Sequence, residues 1–352
     1  MTTTTTPRQT APGSSGAAKA VRHIATARET GIAVALILVV VAATASNPSF
    51  LFSPDGFRDL LLTPSILLLV AVGQAIVIIT RNVDLSVGSV VGLSAYLTGR
   101  VFIDLPWLPW PAVFLIGLLF GGLLGLLNGA LVAFAKVPSL VITLGTLYAF
   151  RGINVLWTGS DRINASDMPK DFLALGTSAL AGIPYLTILA IVVLVLAGWF
   201  LRTQRAGREL YAIGSDPSAA HLYGLKVTQR TLAAFVVCGA LAGLAGVLYA
   251  ARYGTVNSQA GSGWELDAVG AAVIGGVAIF GGSGTVWGAA IGAYLLLTIS
   301  RALPVVGVPD FWQGAVVGAL ILGAIVLDRL LALRTARRLR DVHARERNEV
   351  TS

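Results

Sequence analysis

Residues 205–225 read RAGRELYAIGSDPSAAHLYGL, a charged stretch set between two apolar ones. IPYLTILAIVVLVLAGWF (183–200) precedes it and LAAFVVCGALAGLAGVLYA (232–250) follows it. Each flank approaches the ~20 apolar residues that cross a hydrocarbon core of ~30 Å. If both cross, 205–225 must turn at one face of a bilayer, and the chain is an all-α polytopic membrane protein. Apolar runs recur at about 31–46, 60–79, 85–102, 110–134, 138–157, 183–201, 231–251, 267–280, 286–301 and 311–327. About ten transmembrane helices are therefore expected. The run 267–280 is short, which suits a half-helix surrounded by protein.

Composition supports a bilayer as solvent. Of 352 residues, 55% are hydrophobic and only 12% charged, against about a quarter charged in soluble domains. The 40 glycines suit helices that approach closely in lipid. The single cysteine, Cys238, lies in an apolar run and reads as a small packed hydrophobe. A net charge of +8 does not point to nucleic acid, because the positives sit at the ends of apolar runs. Residues 1–29 read as a disordered Thr/Ser/Pro-rich tail without a cleavage site, 30–328 as the membrane domain, and 329–352 as a basic tail.

Ten spans place both termini on one side. With the N-terminus in the cytoplasm, eighteen Lys and Arg fall inside and six outside: Arg58, Arg100, Arg162, Lys170, Arg252 and Arg301. The positive-inside rule then favours N-in and C-in, with 202–230 cytoplasmic, in the plasma membrane of a bacterium. Asp84-Leu-Ser-Val-Gly88 and Asp267-Ala-Val-Gly270 open the third and eighth spans from opposite sides, as an inverted five-plus-five repeat would have it.

Several chemistries lack their residues. No Asp or Glu falls inside a span; Asp84, Asp267 and Asp328 stand at span edges, and the three histidines lie outside. An ion-coupled carrier is expected to place ionisable groups at mid-depth. Arg151 is the one charge within a span, and snorkelling or pairing with a helix end explains it. No lysine follows a glycine, so no phosphate loop exists, and Gly281-Gly-Ser-Gly284 reads as a tight turn. With no nucleophile–base pair and no metal-ligand spacing, catalytic and metal residues are none.

A chain without its own energy source is a passive pore or is driven by a partner, and 205–225 is where a partner would act. Arg208–Ala212 is expected to continue the sixth span. Gly214 breaks it, Ser215 or Asp216 caps a short helix with Pro217 in its first turn, and Gly224 stops it. Ala220 is expected on the face that meets the partner.

The segment GRELYAIGSDPSAAHLYG (207–224) resembles the cytoplasmic coupling loop of ABC-transporter permeases of the ribose/xylose/arabinose type. ITRNVDLSVGS (79–89), VPSLVITLGTLYAFRG (137–152) and GSGWELDAVGAAVIGGVAIFGGSGTVWGAAIGA (261–293) are similar to further motifs of that family, in the same order. RINASDMPKDFLAL (162–175) and LPVVGVPDFWQGAV (303–316) resemble the rhamnose branch, while ITRNVDLSVGS and LWTGS (156–160) resemble the autoinducer-2 branch equally. The resemblance implies a sugar importer. Its partners would be a cytoplasmic ABC ATPase that binds the ATP, a second permease copy or paralogue, an extracytoplasmic sugar-binding protein and membrane lipid. The chain itself would hold no cofactor. Gly207, Arg208, Gly214, Asp216, Pro217, Ala219, Ala220 and Gly224 would then couple to the ATPase, and Arg252 and Arg58 would dock the binding protein. Gln74, Asn128, Thr143, Thr146 and Asn154 are pathway candidates, or else polar glue between helices. A self-powered facilitator or secondary carrier is the competing class.

This topology is checked by thiol labelling in a Cys238→Ser background. Ser215→Cys should resist membrane-impermeant reagents in intact cells and Asn257→Cys should react; the reverse pattern would overturn it.

Overall fold

The computed structural model describes residues 28–135, 137–159, 161–323 and 326. Apolar runs in lipid must satisfy their backbone groups internally, so they form helices. In chain order these are α1 (Arg28–Ser46), the single turn α2 (Ser49–Phe52), α3 (Pro54–Ile79), α4 (Val87–Asp104), α5 (Trp110–Ala135), α6 (Ser139–Thr158), α7 (Lys170–Thr177), α8 (Tyr185–Thr203), α9 (Arg205–Ser215), α10 (Pro217–Leu222), α11 (Val227–Tyr253), α12 (Trp264–Ile274) and α13 (Val286–Val305). A last apolar helix, α14, covers Gln313–Gly323. Two-residue strands, β1 (Ala179–Leu180) and β2 (Ile183–Pro184), pair as a small antiparallel ribbon before α8. Among the described residues, α1, α3, α5, α6, α8, α11 and α13 are long and apolar enough to cross a membrane.

The run 267–280 is the half-helix that its shortness suggested: α12 has 11 residues, about 16 Å at 1.5 Å per residue, and 275–285 continue without helix. Two expectations are corrected. The sixth span ends at Thr203 instead of running on to Ala212, because Gln204 is extended (φ −82°, ψ 143°) and α9 starts afresh. Gly207 permits the fold-back, since a Cβ there would lie 2.6 Å from Leu201 Cα. Arg28 and Glu29, expected in the N-terminal tail, already belong to α1. The remainder of that tail and the basic segment 329–352 lie outside the described residues.

Helix α11 is the axis of the bundle. Gly239 and Gly243 meet Gly117, Gly121 and Gly125 of α5 with no space for side chains; a Cβ on Gly121 would stand 2.6 Å from Gly243 Cα. Hydrophobic attraction does not operate between helices in lipid, so backbone contact through small residues carries the association. Cys238, fully buried, packs against Gly73 of α3 near the middle of α11. Further along, Gly246 packs against Val91 and Ser94 of α4.

Loop contacts sort the chain into two ends. At one end Gly282 donates to Ile79 O at 3.0 Å, Tyr211 to Gly284 O at 3.1 Å, and Thr285 to Glu29 at 2.8 Å. At the other, Arg252 pairs with Asp59 at 2.8 Å, Arg301 donates to Gly56 O at 2.8 Å, and Ile163 bridges Val256. Each contact joins segments that the charge count assigns to one side, the first set to the cytoplasm.

Gly121→Ala should lower the thermal midpoint in detergent, an overpacking cost of about 1–3 kcal/mol. Gly122→Ala, whose Cβ would meet Ala240 at an ordinary 3.7 Å, should leave it unchanged. Equal midpoints would remove the α5–α11 glycine contact as a determinant of stability.

Candidate functional site

Two chain segments dip into the bundle from opposite ends. The first follows α3: Thr80–Ser86 is not α-helical, yet Thr80, Asp84 and Ser86 are buried. Its polar groups find partners on three helices. Val83 N donates to Ser139 Oγ (3.1 Å), and Thr143 Oγ1 donates to Val83 O (3.1 Å). Asn128 donates to Ser86 Oγ at 2.7 Å, and Asp84 Oδ1 accepts from Ser86 N and Oγ at 2.9 and 2.7 Å. With its amide turned as its neighbours require, Gln74 donates to Asp84 O (3.0 Å) and accepts from Asp84 N (3.2 Å). Because Gly73 packs at Cys238, Asp84 is held near mid-height of α11, and α4 starts there.

The second segment follows α11. From Val256, paired with Ile163, residues 257–263 descend along α4: Gly92 packs against Ala260 O, and Gly88 against Gly261 O and the Glu265 carboxylate. Arg151 donates to Ala260 O at 2.9 Å and Ser258 O at 3.4 Å, and Asn154 to Ser258 O at 3.1 Å. Helix α12 then starts beside the first turn of α4 and runs toward the Gly282 end, where Gly275 touches Gly288 of α13. Two helices thus begin at mid-height and run in opposite directions. The Asp84–Gly88 and Asp267–Gly270 echoes stand at these two starts.

Ionisable groups therefore do occur at mid-depth, contrary to the sequence expectation. Asp84 is 1% exposed, and one Glu265 oxygen is buried against Gly88 without a hydrogen-bond partner. Asp84 looked like a span-edge residue, and Glu265 was not singled out, because re-entry depends on tertiary partners. A carboxylate at the first turn of α4 is favourable to that helix's dipole.

The pathway candidates have internal partners. Gln74, Asn128 and Thr143 hold the first segment, Asn154 holds the second, and Thr146 bonds to Thr143 O of its own helix at 3.3 Å. An aromatic ladder escaped the sequence reading. Tyr253 and Tyr249 have ring centroids 4.5 Å apart, and Tyr249 stands 5.6 Å from Trp264, leading from the Arg252 end to the start of α12. The i,i+4 spacing of the tyrosines was its only sequence signal.

At the other end, α9 lies over the bundle with Leu210, Ile213 and Gly214 buried. Glu209 accepts from Arg230 at 2.6 Å and from Arg205 at 2.9 Å. The Arg230 hydrogen bond, reinforced by Arg205, lowers the Glu209 pKa from its ordinary value. A Cβ on Gly214 would run into Ile79 O and lie 2.6 Å from Gly282 N, so α9 abuts both the start of the first segment and the turn after α12. That turn is the tight one expected at 281–284, with positive φ at Gly281, Gly282 and Gly284. Asp216 caps α10 by accepting from Ser218 N and Ala219 N at 2.9 and 3.0 Å, Pro217 opens it, and Gly224 follows at φ 76°.

Ala220 does not face outward. It is 5% exposed, whereas Leu222 and Tyr223 are 87% and 86% exposed. The cap turns the small residue toward the bundle and leaves two large apolar side chains projecting. Gly207 permits the fold-back, Gly214 the contact with Ile79 and Gly282, and Ala219 N donates to the Asp216 cap, while Arg208 donates to Thr203 O at 2.6 Å. The arginines expected to dock a binding protein are engaged within the chain. Arg252 pairs with Asp59, and Arg58 donates to Thr177 O.

Comparison with known proteins agrees with this architecture. The family described as branched-chain amino acid transport system / permease component matches residues 57–325. The autoinducer 2 import system permease protein LsrC of Klebsiella pneumoniae is 36% identical over 313 residues, covering 89% of this chain and 90% of that protein. LsrC of Shigella flexneri is 38% identical over 275 residues, 78% of this chain and 79% of its own length. No solved structure matches significantly. Two re-entrant segments in a polytopic helical bundle and a family match across most of the length converge: the chain belongs to the branched-chain amino acid transport system permease family and is a multi-pass ABC-type permease of the bacterial inner membrane, not an enzyme.

Proposed function

We propose that this permease is the membrane subunit of an ATP-driven importer of a sugar-like solute of the autoinducer-2 kind. A cytoplasmic ABC ATPase docks on α9 and α10, a second permease copy or paralogue completes the pathway, and an extracytoplasmic binding protein delivers the solute at the Arg252 end. The observation that carries this reading is the junction of Gly214 with Ile79 and Gly282. A push on α10 reaches the start of the first re-entrant segment and the turn after α12 through one contact, as a bundle alternating between two packings requires. Leu222 and Tyr223 are the anchors for the ATPase, since exposed large side chains at the tip of a capped helix suit a buried interface core. Because Arg58 and Arg252 are engaged, they frame the docking surface for the binding protein instead of serving as its free charges. The Tyr253–Tyr249–Trp264 ladder and Glu265 suit passage of a polyhydroxylated solute, with ring faces against C–H groups and a carboxylate for hydroxyls.

Rhamnose is the second solute to test, because 162–175 and 303–316 resemble the rhamnose branch. A self-powered carrier is the second mechanism, because Asp84 lies at mid-depth.

Reconstitution with the cognate ATPase and binding protein tests the reading. Uptake should require ATP and favour autoinducer 2 over rhamnose; uptake by the permease alone would show a carrier. Leu222→Asp with Tyr223→Asp should leave the permease in the membrane but reduce ATPase co-purification and uptake by about tenfold or more, as loss of interface anchors does. Normal uptake would exclude α10 as the coupling element. Separately, Glu265→Gln should lower solute moved per ATP hydrolysed while the binding protein stimulates the ATPase as before. An unchanged ratio would take Glu265 off the pathway.

A further inference from the structure

A groove of about 290 Å³ runs along the outside of the bundle between α8, α9 and α11. On α11 its wall is the stripe Arg230, Ala234, Val237 and Leu241, the i, i+4, i+7, i+11 pattern of one helix face. On α8 it is Val193, Ala197 and Phe200, at the same kind of spacing. The distance from Arg230 to Leu241 along the helix is about 16 Å at 1.5 Å per residue, roughly half the ~30 Å hydrocarbon core. The groove therefore spans one leaflet. Its lining is apolar except at the α9 end, where Arg230 stands.

Among the described residues, the charge at that end is not neutralised. Arg230 and Arg205 share one carboxylate, Glu209, each through Nε. Two guanidinium groups on one carboxylate leave a net positive charge. A guanidinium edge is well shaped for a phosphate, and basic sites at helix ends on the cytoplasmic side suit anionic headgroups.

We propose that this groove binds one anionic phospholipid of the cytoplasmic leaflet. One acyl chain lies against Ala197, Ala234 and Val237, and the headgroup phosphate sits on Arg230 and Arg205. The lipid would tie α9 to the membrane beside the coupling face. A second copy of this chain is the competing occupant; an apolar groove of one leaflet's length with a cationic mouth favours the lipid.

Native mass spectrometry of the purified permease in detergent, with phosphatidylglycerol or phosphatidylcholine added, tests the proposal. The wild type should retain phosphatidylglycerol about fivefold more than phosphatidylcholine, the preference expected of one cationic contact. Arg230→Gln should lose that preference, and Ala197→Phe, which fills the groove, should lose retention of both lipids while eluting at an unchanged size. Equal retention of the two lipids by the wild type, or undiminished phosphatidylglycerol on Ala197→Phe, would overturn the proposal. So would a drop in oligomer size on Ala197→Phe, which would make the groove a subunit face.

Discussion

A backbone taken into an apolar interior must have every N–H and C=O satisfied, and the rest of this structure follows from how two non-helical segments meet that demand. Helix α6 does most of it. Ser139 and Thr143 bond Val83 near one end of α6, and Arg151 and Asn154 bond 258–260 near the other. Between them, Leu147 O accepts from Ser89 of α4 at 3.0 Å. A single helix thus holds the segment entering from each face. Without those side chains the two segments would leave orphaned polar groups at a cost of about 1–3 kcal/mol each.

The same constraint ties α9 to the centre of the bundle. Residues 80–86 leave the bundle end at Ile79, and α12 returns to that end through 275–284. Both places touch α9 at Gly214 and Ser215. Tyr211 adds a bond to Gly284 O. Motion of α9 would therefore reach the segment that leads into α4 and the turn that leaves α12 together. A cleft of about 560 Å³ between α9 and the start of α13, lined by Arg208, Tyr211, Thr285 and Trp287, leaves space for that motion.

Much of this was legible in residue order. Runs of twenty apolar residues announce membrane helices whatever their neighbours, and Asp216, Pro217 and Gly224 announce α10, because caps act locally. What escaped depends on partners distant in sequence. Gln204 carries no helix-breaking chemistry; the break reflects α9 folding back onto Leu201. Asp84 looked like an edge residue and Glu265 passed unnoticed, because nothing local reports that Gln74 and Asn128 hold the first at mid-depth, or that Gly88 leaves space for the second. Ala220 was expected outward because composition does not say which face of a six-residue helix the bundle takes. The polar residues of the spans were visible, but their pairing was not.

The central claim is that α9 and the turn 281–284 move as one body during transport. Ser215→Cys and Ser283→Cys, introduced together in a Cys238→Ser background, place two thiols across this junction; a short bifunctional thiol reagent can lock them. ATP-driven uptake by the locked permease, reconstituted with its ATPase and binding protein, is the most direct measurement. Uptake close to that of the unlocked protein is the predicted result. Loss of uptake on locking, restored when the link is cleaved, would mean that the junction opens in each cycle and that α9 does not drive the re-entrant segments through it.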